Sequence, residues 1–238
     1  MRRLDELGLV LAPTFRSRAY VQYLVEQGIR PSVVAILPGD EWGWKGPSII
    51  EMRRSQGTVP FAFRATEPAR DTAAAAGWTV VDLPDANVNS AATIARLGAM
   101  DADVLLYSGF SKVLVSKQLI ATGKRFLHVH GGYLPDFRGA TGHYFGLLEQ
   151  GGLGVTAIWL NAEVDAGAIL ARQWYRPTPG VDVDYIQDPV ARAYLLGEVL
   201  NARLRDGAYP ETDEPEVGTL HYVIHPVLKS LALRPVVG

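Results

Sequence analysis

Short runs of apolar, often β-branched residues alternate along the first half of the chain with segments whose apolar positions recur every three or four residues. That alternation is the sequence form of βαβ units, in which amphipathic helices join buried parallel strands. Residues 7–12 read as a first strand, ended by Pro13. Residues 16–28 follow, with Tyr20, Val21, Leu24 and Val25 on one helical face and Gly28 as the stop. Further strands are expected at 33–37, 59–63, 78–81 and 102–107, with helices at 68–77 and 90–100. The nearly unbroken apolar run at 102–107 fits a strand covered on both faces.

In the second half, residues 126–130 form a strand ending in His128 and His130, followed by the glycine-containing loop 131–139 and a helix at 141–150 that carries His143. Residues 154–160 and 168–174 read as two strands of a hairpin closing around 161–167, and 189–205 as a last amphipathic helix. An acidic, proline-containing loop at 211–216 and an apolar segment at 220–233 complete the chain. The expected fold is α/β, a doubly wound and mostly parallel sheet with a C-terminal β-hairpin. Residues 1–205 are expected as one domain, and 206–238 as a short extension that packs on the core or makes a homodimer contact.

The composition narrows the function classes. Among 238 residues, 23 Lys+Arg stand against 25 Asp+Glu, a net charge of −2, which argues against a nucleic-acid or membrane partner held by charge. No apolar run approaches the ~18 residues of a membrane span. The chain has no cysteine, so thiol nucleophiles and thiolate metal sites are excluded and a reducing compartment, the cytoplasm, is expected. Trp42 and Trp44 on the loop at 38–48 either present a ligand surface or pack beneath that loop.

Three of the five histidines, His128, His130 and His143, fall within sixteen positions. Residues i and i+2 of a strand share a face, and a strand end followed by a glycine loop is where open α/β sheets place their sites. Asp165 in the hairpin loop supplies a carboxylate that can orient an imidazole and stabilise its charged form. On residue types alone, the set is structural, ligates zinc or iron, or serves as a general base with its partner.

The text around these residues resembles the folate-dependent formyltransferases. Three ordered blocks carry the likeness. They are His130 followed by Leu134-Pro135-Asp136-Phe137-Arg138-Gly139, then Gly154-Val155-Thr156, and then Val164-Asp165-Ala166-Gly167-Ala168-Ile169-Leu170. The resemblance covers roughly residues 5–205 and implies a Rossmann-like fold with formyltetrahydrofolate as co-substrate and a small-molecule amine as acceptor. It implies His130 as the base, Asp165 as the partner that orients it, Tyr107, Ser108, Gly109 and Phe110 as lining of the donor pocket, and Asn161, Ala162, Glu163 and Val164 as support for the pterin. Arg16, Arg138 and Tyr133 are candidates for the acceptor side.

Two positions depart from the family. Where it carries an asparagine that donates to the formyl oxygen, this chain has His128, and Gly131-Gly132 replaces a bulkier pair. The glycines are read as room for the larger imidazole, and His128 as the new oxyanion donor. With about thirty residues after the last core helix, the extra barrel of methionyl-tRNA formyltransferases is not expected, nor is a tRNA acceptor. Two rival readings remain. One is a hydrolase or another acyl or carbamoyl transferase using His128, His130 and Asp165, with or without a metal. The other is a ligand-binding homologue without turnover. His221 and His225 are read as sharing a strand face, where a pair of imidazoles can ligate a metal, but Pro226 and the want of a third ligand favour a structural role.

Overall fold

The structure is a computed structural model that describes residues 1–52, 60–111, 113–161, 163–212 and 218–237. The chain forms two compact units, Met1–Ile50 with Ala62–His128, and Glu51–Phe61 with Val129–Gly238.

In the first unit β1 (Arg2–Leu11) is the centre of a parallel sheet. It pairs with β2 (Ile29–Ile36) on one side and β6 (Val104–Ser108) on the other. The next strands outward are β5 (Val80–Asp82) beside β2 and β7 (Arg125–His130) beside β6. Leu7, Leu9, Val10 and Leu11 are fully buried, as expected of a strand covered on both faces. A Cβ at Gly8 would stand 2.9 Å from the Leu105 side chain, so a glycine permits β1 and β6 to approach there. The strand begins five residues before the expected start at 7. Its polar opening, Arg2-Arg3-Leu4, pairs with Ile29–Pro31, a contact made between segments remote in sequence.

Helix α1 (Phe15–Glu26) starts at Thr14, whose hydroxyl accepts from the Ser17 N–H, and the chain leaves it through Gly28 at φ +63°. Helices α2 (Ala69–Ala75) and α3 (Ala91–Gly98) lie within the expected spans, whereas α4 (Lys117–Ile120) is too short to show periodicity. Strands β3 (Ile49–Met52) and β4 (Phe61–Arg64) are short and stand outside the main sheet. Residue 59 of the strand expected at 59–63 lies outside the described residues.

The second unit contains the end of β7, β8 (Arg138–Gly139), α5 (Gly142–Gln150) and the antiparallel hairpin of β9 (Leu153–Trp159) with β10 (Ile169–Tyr175). A π-helical turn, Val183–Gln187, runs directly into α6 (Asp188–Asp206), which packs on β9 and β10 and ends at Gly207. Strand β11 (Leu220–His221) pairs with β8, and α7 (Pro226–Val237) packs on α5. The apolar segment at 220–233 is therefore a two-residue strand and part of a helix. His221 is in that strand, but His225 precedes α7, so the two share no strand face. Among the described residues no helix is long and apolar enough to cross a membrane.

Candidate active site

His130 is the last residue of β7 and is 6% exposed. Its Nε2 lies 2.9 Å from the main-chain oxygen of Phe137. A carbonyl only accepts, so Nε2 carries the proton. The other ring nitrogen, Nδ1, is 3.4 Å from Asp165 Oδ2. In the neutral tautomer a lone pair therefore faces a carboxylate, and a proton taken up at Nδ1 converts that opposition into an ion pair. Burial drives the His130 pKa down, Asp165 and the Phe137 carbonyl push it up, and the net direction is down. The result is an imidazole held neutral whose one basic position is backed by an anion.

The loop that carries Asp165 is fixed by its own chemistry. Asp165 sits at φ +48°, a left-handed conformation that aspartate tolerates better than most residues. Its Oδ2 accepts from the Gly139 N–H at 3.0 Å, and Arg138 Nη2 donates to the Val164 carbonyl at 2.9 Å, so both anchors come from β8. Asn161 closes the turn, accepting from the Glu163 N–H at 2.9 Å and donating to the Ala166 carbonyl at 3.1 Å. At Gly167 a Cβ would collide with the Trp159 carbonyl, so the hairpin closes only through a glycine.

Gly131 and Gly132 make room, though not for His128. A Cβ on Gly132 would stand 2.6 Å from His130 Nε2 and closer still to the Phe137 carbonyl, so the missing side chain is what allows that hydrogen bond. A Cβ on Gly131 would meet Arg192 and stand 2.8 Å from Asp188 Oδ1. Those two residues form a buried pair on the first turn of α6. Arg192 Nε donates to Asp188 Oδ1 at 2.9 Å, Nη2 lies 2.8 Å from Oδ2, and Nη1 donates to the Val129 carbonyl at 3.0 Å. Arg192 thus grips β7 one residue before His130. In the sequence this pair leaves only one signal, an Asp and an Arg four residues apart on a helix.

His128 is half-buried on the strand that carries His130, two residues earlier, and so leaves β7 on the same face. Its Nδ1 lies 3.1 Å from the Tyr107 carbonyl. Around that carbonyl the stretch 107–110 is tied into its own unit. The Ser108 hydroxyl is fully buried, 2.8 Å from Ser17 Oγ, and accepts from Arg16 Nε at 3.0 Å, while Arg16 Nη2 donates to the Gly109 carbonyl. Burial raises the Tyr107 phenol to about 12, so it stays protonated at neutral pH. Arg16 is thereby held against the segment expected to line the donor pocket. Arg18, its neighbour in the first turn, is 2% exposed and donates to the Ala65 and Trp42 carbonyls and to Glu41.

The remaining candidates disperse. Tyr133 is stacked on Trp174 at 4.9 Å between centroids, and the Arg172 guanidinium lies 4.9 Å from the centroid of its ring. Glu163 and Val164 are exposed, and Ala162 lies outside the described residues. His143 turns instead to Asp184 on the π-helical turn, with Nε2 at 3.6 Å from Oδ1. That carboxylate also accepts from the Tyr144 hydroxyl and, at 2.7 Å, from Lys229 of α7. Trp42 is exposed, whereas Trp44 packs edge-on to Phe15.

Set beside known proteins, residues 46–193 match the family model described as formyl transferase. A methionyl-tRNA formyltransferase of Acidiphilium cryptum is 27% identical over 155 residues, 65% of this chain and 50% of that protein. The chain spans about half the length of the curated relatives it matches. Glycinamide ribonucleotide transformylase 1 from Symbiobacterium toebii superposes with a TM-score of 0.60 at 17% identity, covering 92% of this chain and 95% of that one. A sugar N-formyltransferase from Shewanella gives 0.56 at 16% identity, covering 97% and 87%. At such identities the two structures speak to the fold alone.

Proposed function

We propose, on the premise that this chain belongs to the formyl transferase family, that it moves a formyl group from formyltetrahydrofolate to the amine of a small molecule. The observation that carries the reading is the setting of His130. One nitrogen is fixed by the Phe137 carbonyl, and the other is turned to Asp165 as a proton acceptor. The acceptor nitrogen attacks the formyl carbon, a C–N bond forms, and the carbonyl opens to an oxyanion. His130 takes the proton that the amine loses, at Nδ1, and Asp165 stabilises the resulting imidazolium. The bond from the formyl carbon to the folate nitrogen then breaks, and that nitrogen takes the proton back. His128 is assigned the part of donor to the formyl oxygen, a contact of the kind that lowers such barriers most.

Tyr107, Ser108, Gly109 and Phe110 are assigned to the donor side, with the exposed residues Asn161, Glu163 and Val164 for the pterin. Arg16, Arg138 and Tyr133 are assigned to positioning the acceptor side. The test is turnover of formyltetrahydrofolate with a panel of amino sugars and amino acids. His130→Ala and Asp165→Ala are each expected to remove at least about 100-fold of the rate with unchanged circular dichroism. Full activity in either variant would overturn the assignment.

A further inference from the structure

We infer that the C-terminal segment is part of the catalytic apparatus: His221, with the strand β11 that carries it, fixes Phe137 and through it the proton-accepting geometry of His130. The residues on which this rests all belong to the second unit. The inference deepens the formyl-transfer reading, and its bearing on rate rests on that reading.

The groups that set His130 and Asp165 lie on one short stretch. The Phe137 carbonyl faces His130 Nε2, the Gly139 N–H donates to Asp165, and Arg138 anchors the Val164 carbonyl. Strand β11 runs parallel along that stretch, with Leu220 opposite Arg138 and His221 opposite Gly139. The Arg138 N–H donates to the Thr219 carbonyl at 3.3 Å, and the Ala140 N–H to the His221 carbonyl at 2.9 Å. Among the described residues β8 has no second strand beside it, so without β11 both donors would be left to water. Two glycines let the segments touch. A Cβ on Gly139 would collide with the His221 carbonyl, and one on Gly218 with the Pro135 carbonyl. Further on, the Ile224 N–H donates to Thr141 Oγ1 at 3.0 Å. Thr141 is a β-branched residue at φ +57°, a conformation that persists only where the surroundings impose it.

The His221 side chain adds what main-chain pairing cannot. Its ring stacks on Phe137, 5.6 Å between centroids at 24°, and lies 4.3 Å from the ring of Phe145 on α5. Its Nε2 stands 3.2 Å from the Asp136 carbonyl, so that nitrogen carries a hydrogen and donates one residue before Phe137. Phe137 is buried, with Trp174 edge-on to its ring, and its N–H donates to the Tyr133 carbonyl at 3.0 Å. A residue held at both ring and N–H has little freedom left for its carbonyl. The hydrogen bond which that carbonyl accepts keeps the proton on His130 Nε2 and leaves Nδ1 as the basic position toward Asp165. It also favours the charged imidazole, against the burial that drives the His130 pKa down. The other charged groups facing His130 are Asp165 on the hairpin loop and the Arg192 and Asp188 pair on α6, and His128 precedes it on β7. His221 thus acts on the reaction through Phe137, as a positioning residue.

Two measurements test this. In protein labelled with ¹⁵N-histidine, long-range ¹H–¹⁵N spectra, with His130 assigned by its loss in His130→Ala, should show neutral His130 as the Nε2–H tautomer. In His221→Ala the Nδ1–H form, which can donate to Asp165, should appear beside it, and His130 should titrate at a lower pH than in the unmodified protein. His221→Leu, which keeps volume without a flat ring, carries the same expectation if the alanine variant does not fold. His221→Phe keeps the ring stack and should reverse most of both changes. An unchanged His130 spectrum and titration would overturn the inference, and so would equal changes in Tyr222→Ala, whose side chain is 79% exposed on the same segment. The second measurement is the pH dependence of formyl transfer. His221→Ala should lose about tenfold in kcat at an unchanged KM for formyltetrahydrofolate, with the acid limb of kcat/KM moved to lower pH. A lower melting temperature with kcat and the limb unmoved would mark His221 as merely structural and refute the role. No transfer by the unmodified protein, with the spectra changed as expected, would sink the transfer reading and leave His221 as the residue that sets His130.

Discussion

Replacing Gly132 by alanine separates steric from conformational causes, because only space is at stake there. A Cβ would lie 2.6 Å from His130 Nε2 and closer to the Phe137 main-chain oxygen. Neither neighbour yields cheaply, since one is backbone and the other is a buried ring held at the end of a strand. Overpacking of this kind costs about 1–3 kcal/mol, and loss of the hydrogen bond between His130 and Phe137 adds about 1 kcal/mol. With about 2–4 °C per kcal/mol for a chain of this size, melting should fall by about 5–15 °C. Turnover should fall further than stability suggests, by about 100-fold, because displacing the proton acceptor by an ångström removes it from line. Differential scanning calorimetry and steady-state rates check the two effects. Gly98→Ala is the control, since a Cβ there meets Thr122 only at 3.6 Å, at the last position of α3, where alanine is the better helix former. If Gly132→Ala melts with the unmodified protein and turns over at its rate, the claim that the missing side chain sets His130 in place is wrong.

Asp165→Asn keeps the size of the side chain but withdraws the charge that stabilises protonated His130. The rate should drop at least about 100-fold while folate binding changes little, and an unaltered rate would contradict the pairing. Arg192→Met strands the buried Asp188 carboxylate and should destabilise by about 3–5 kcal/mol, with Asp188→Asn added to it restoring part of the loss. Equal stability of the single and double variants in urea titrations would show that the pair is not coupled. Burial pushes the Asp184 pKa up, but the contacts from His143, Lys229 and Tyr144 outweigh it, and the net direction is down. A carboxylate depressed in the fold contributes stability at pH values above its unfolded pKa of about 4, and the contribution is lost as pH falls through the folded value. Thermal melts from pH 7 to pH 3 should therefore show a smaller acid loss in Asp184→Asn, and parallel curves for the two proteins would exclude this role.

Much of the architecture is legible in the chain because burial on both faces leaves an unbroken apolar run, and helices between strands leave a three-to-four spacing. The runs at 102–107 and 126–130 therefore overlap the strands Val104–Ser108 and Arg125–His130, and the turn at Asn161 to Gly167 announces the hairpin. Arg2–Leu4 was not legible as strand, since its pairing partner at Ile29–Pro31 lies on the far side of a helix. The approach of Asp165 to His130 was expected from their residue types and the family resemblance. The means of that approach was not, because it depends on main-chain groups, the Gly139 N–H and the Phe137 carbonyl, which every residue possesses. The same limit explains Gly131-Gly132, whose purpose depends on what stands opposite, and His143, which sequence spacing grouped with His130 but which α5 turns to Asp184. Likewise, a histidine in place of an asparagine says nothing of its tautomer until the Tyr107 carbonyl is found beside it.

The central claim, that this site takes a formyl-folate and works with protons, is tested most directly by calorimetric titration of the protein with folinic acid, a stable formyl-folate, before and after treatment with a chelator. Micromolar binding with one molecule per chain is expected, the same in both samples and retained in Asp165→Asn. Absence of binding would contradict it, and binding that disappears with the chelator would shift the chemistry of His128, His130 and Asp165 from protons to a metal ion.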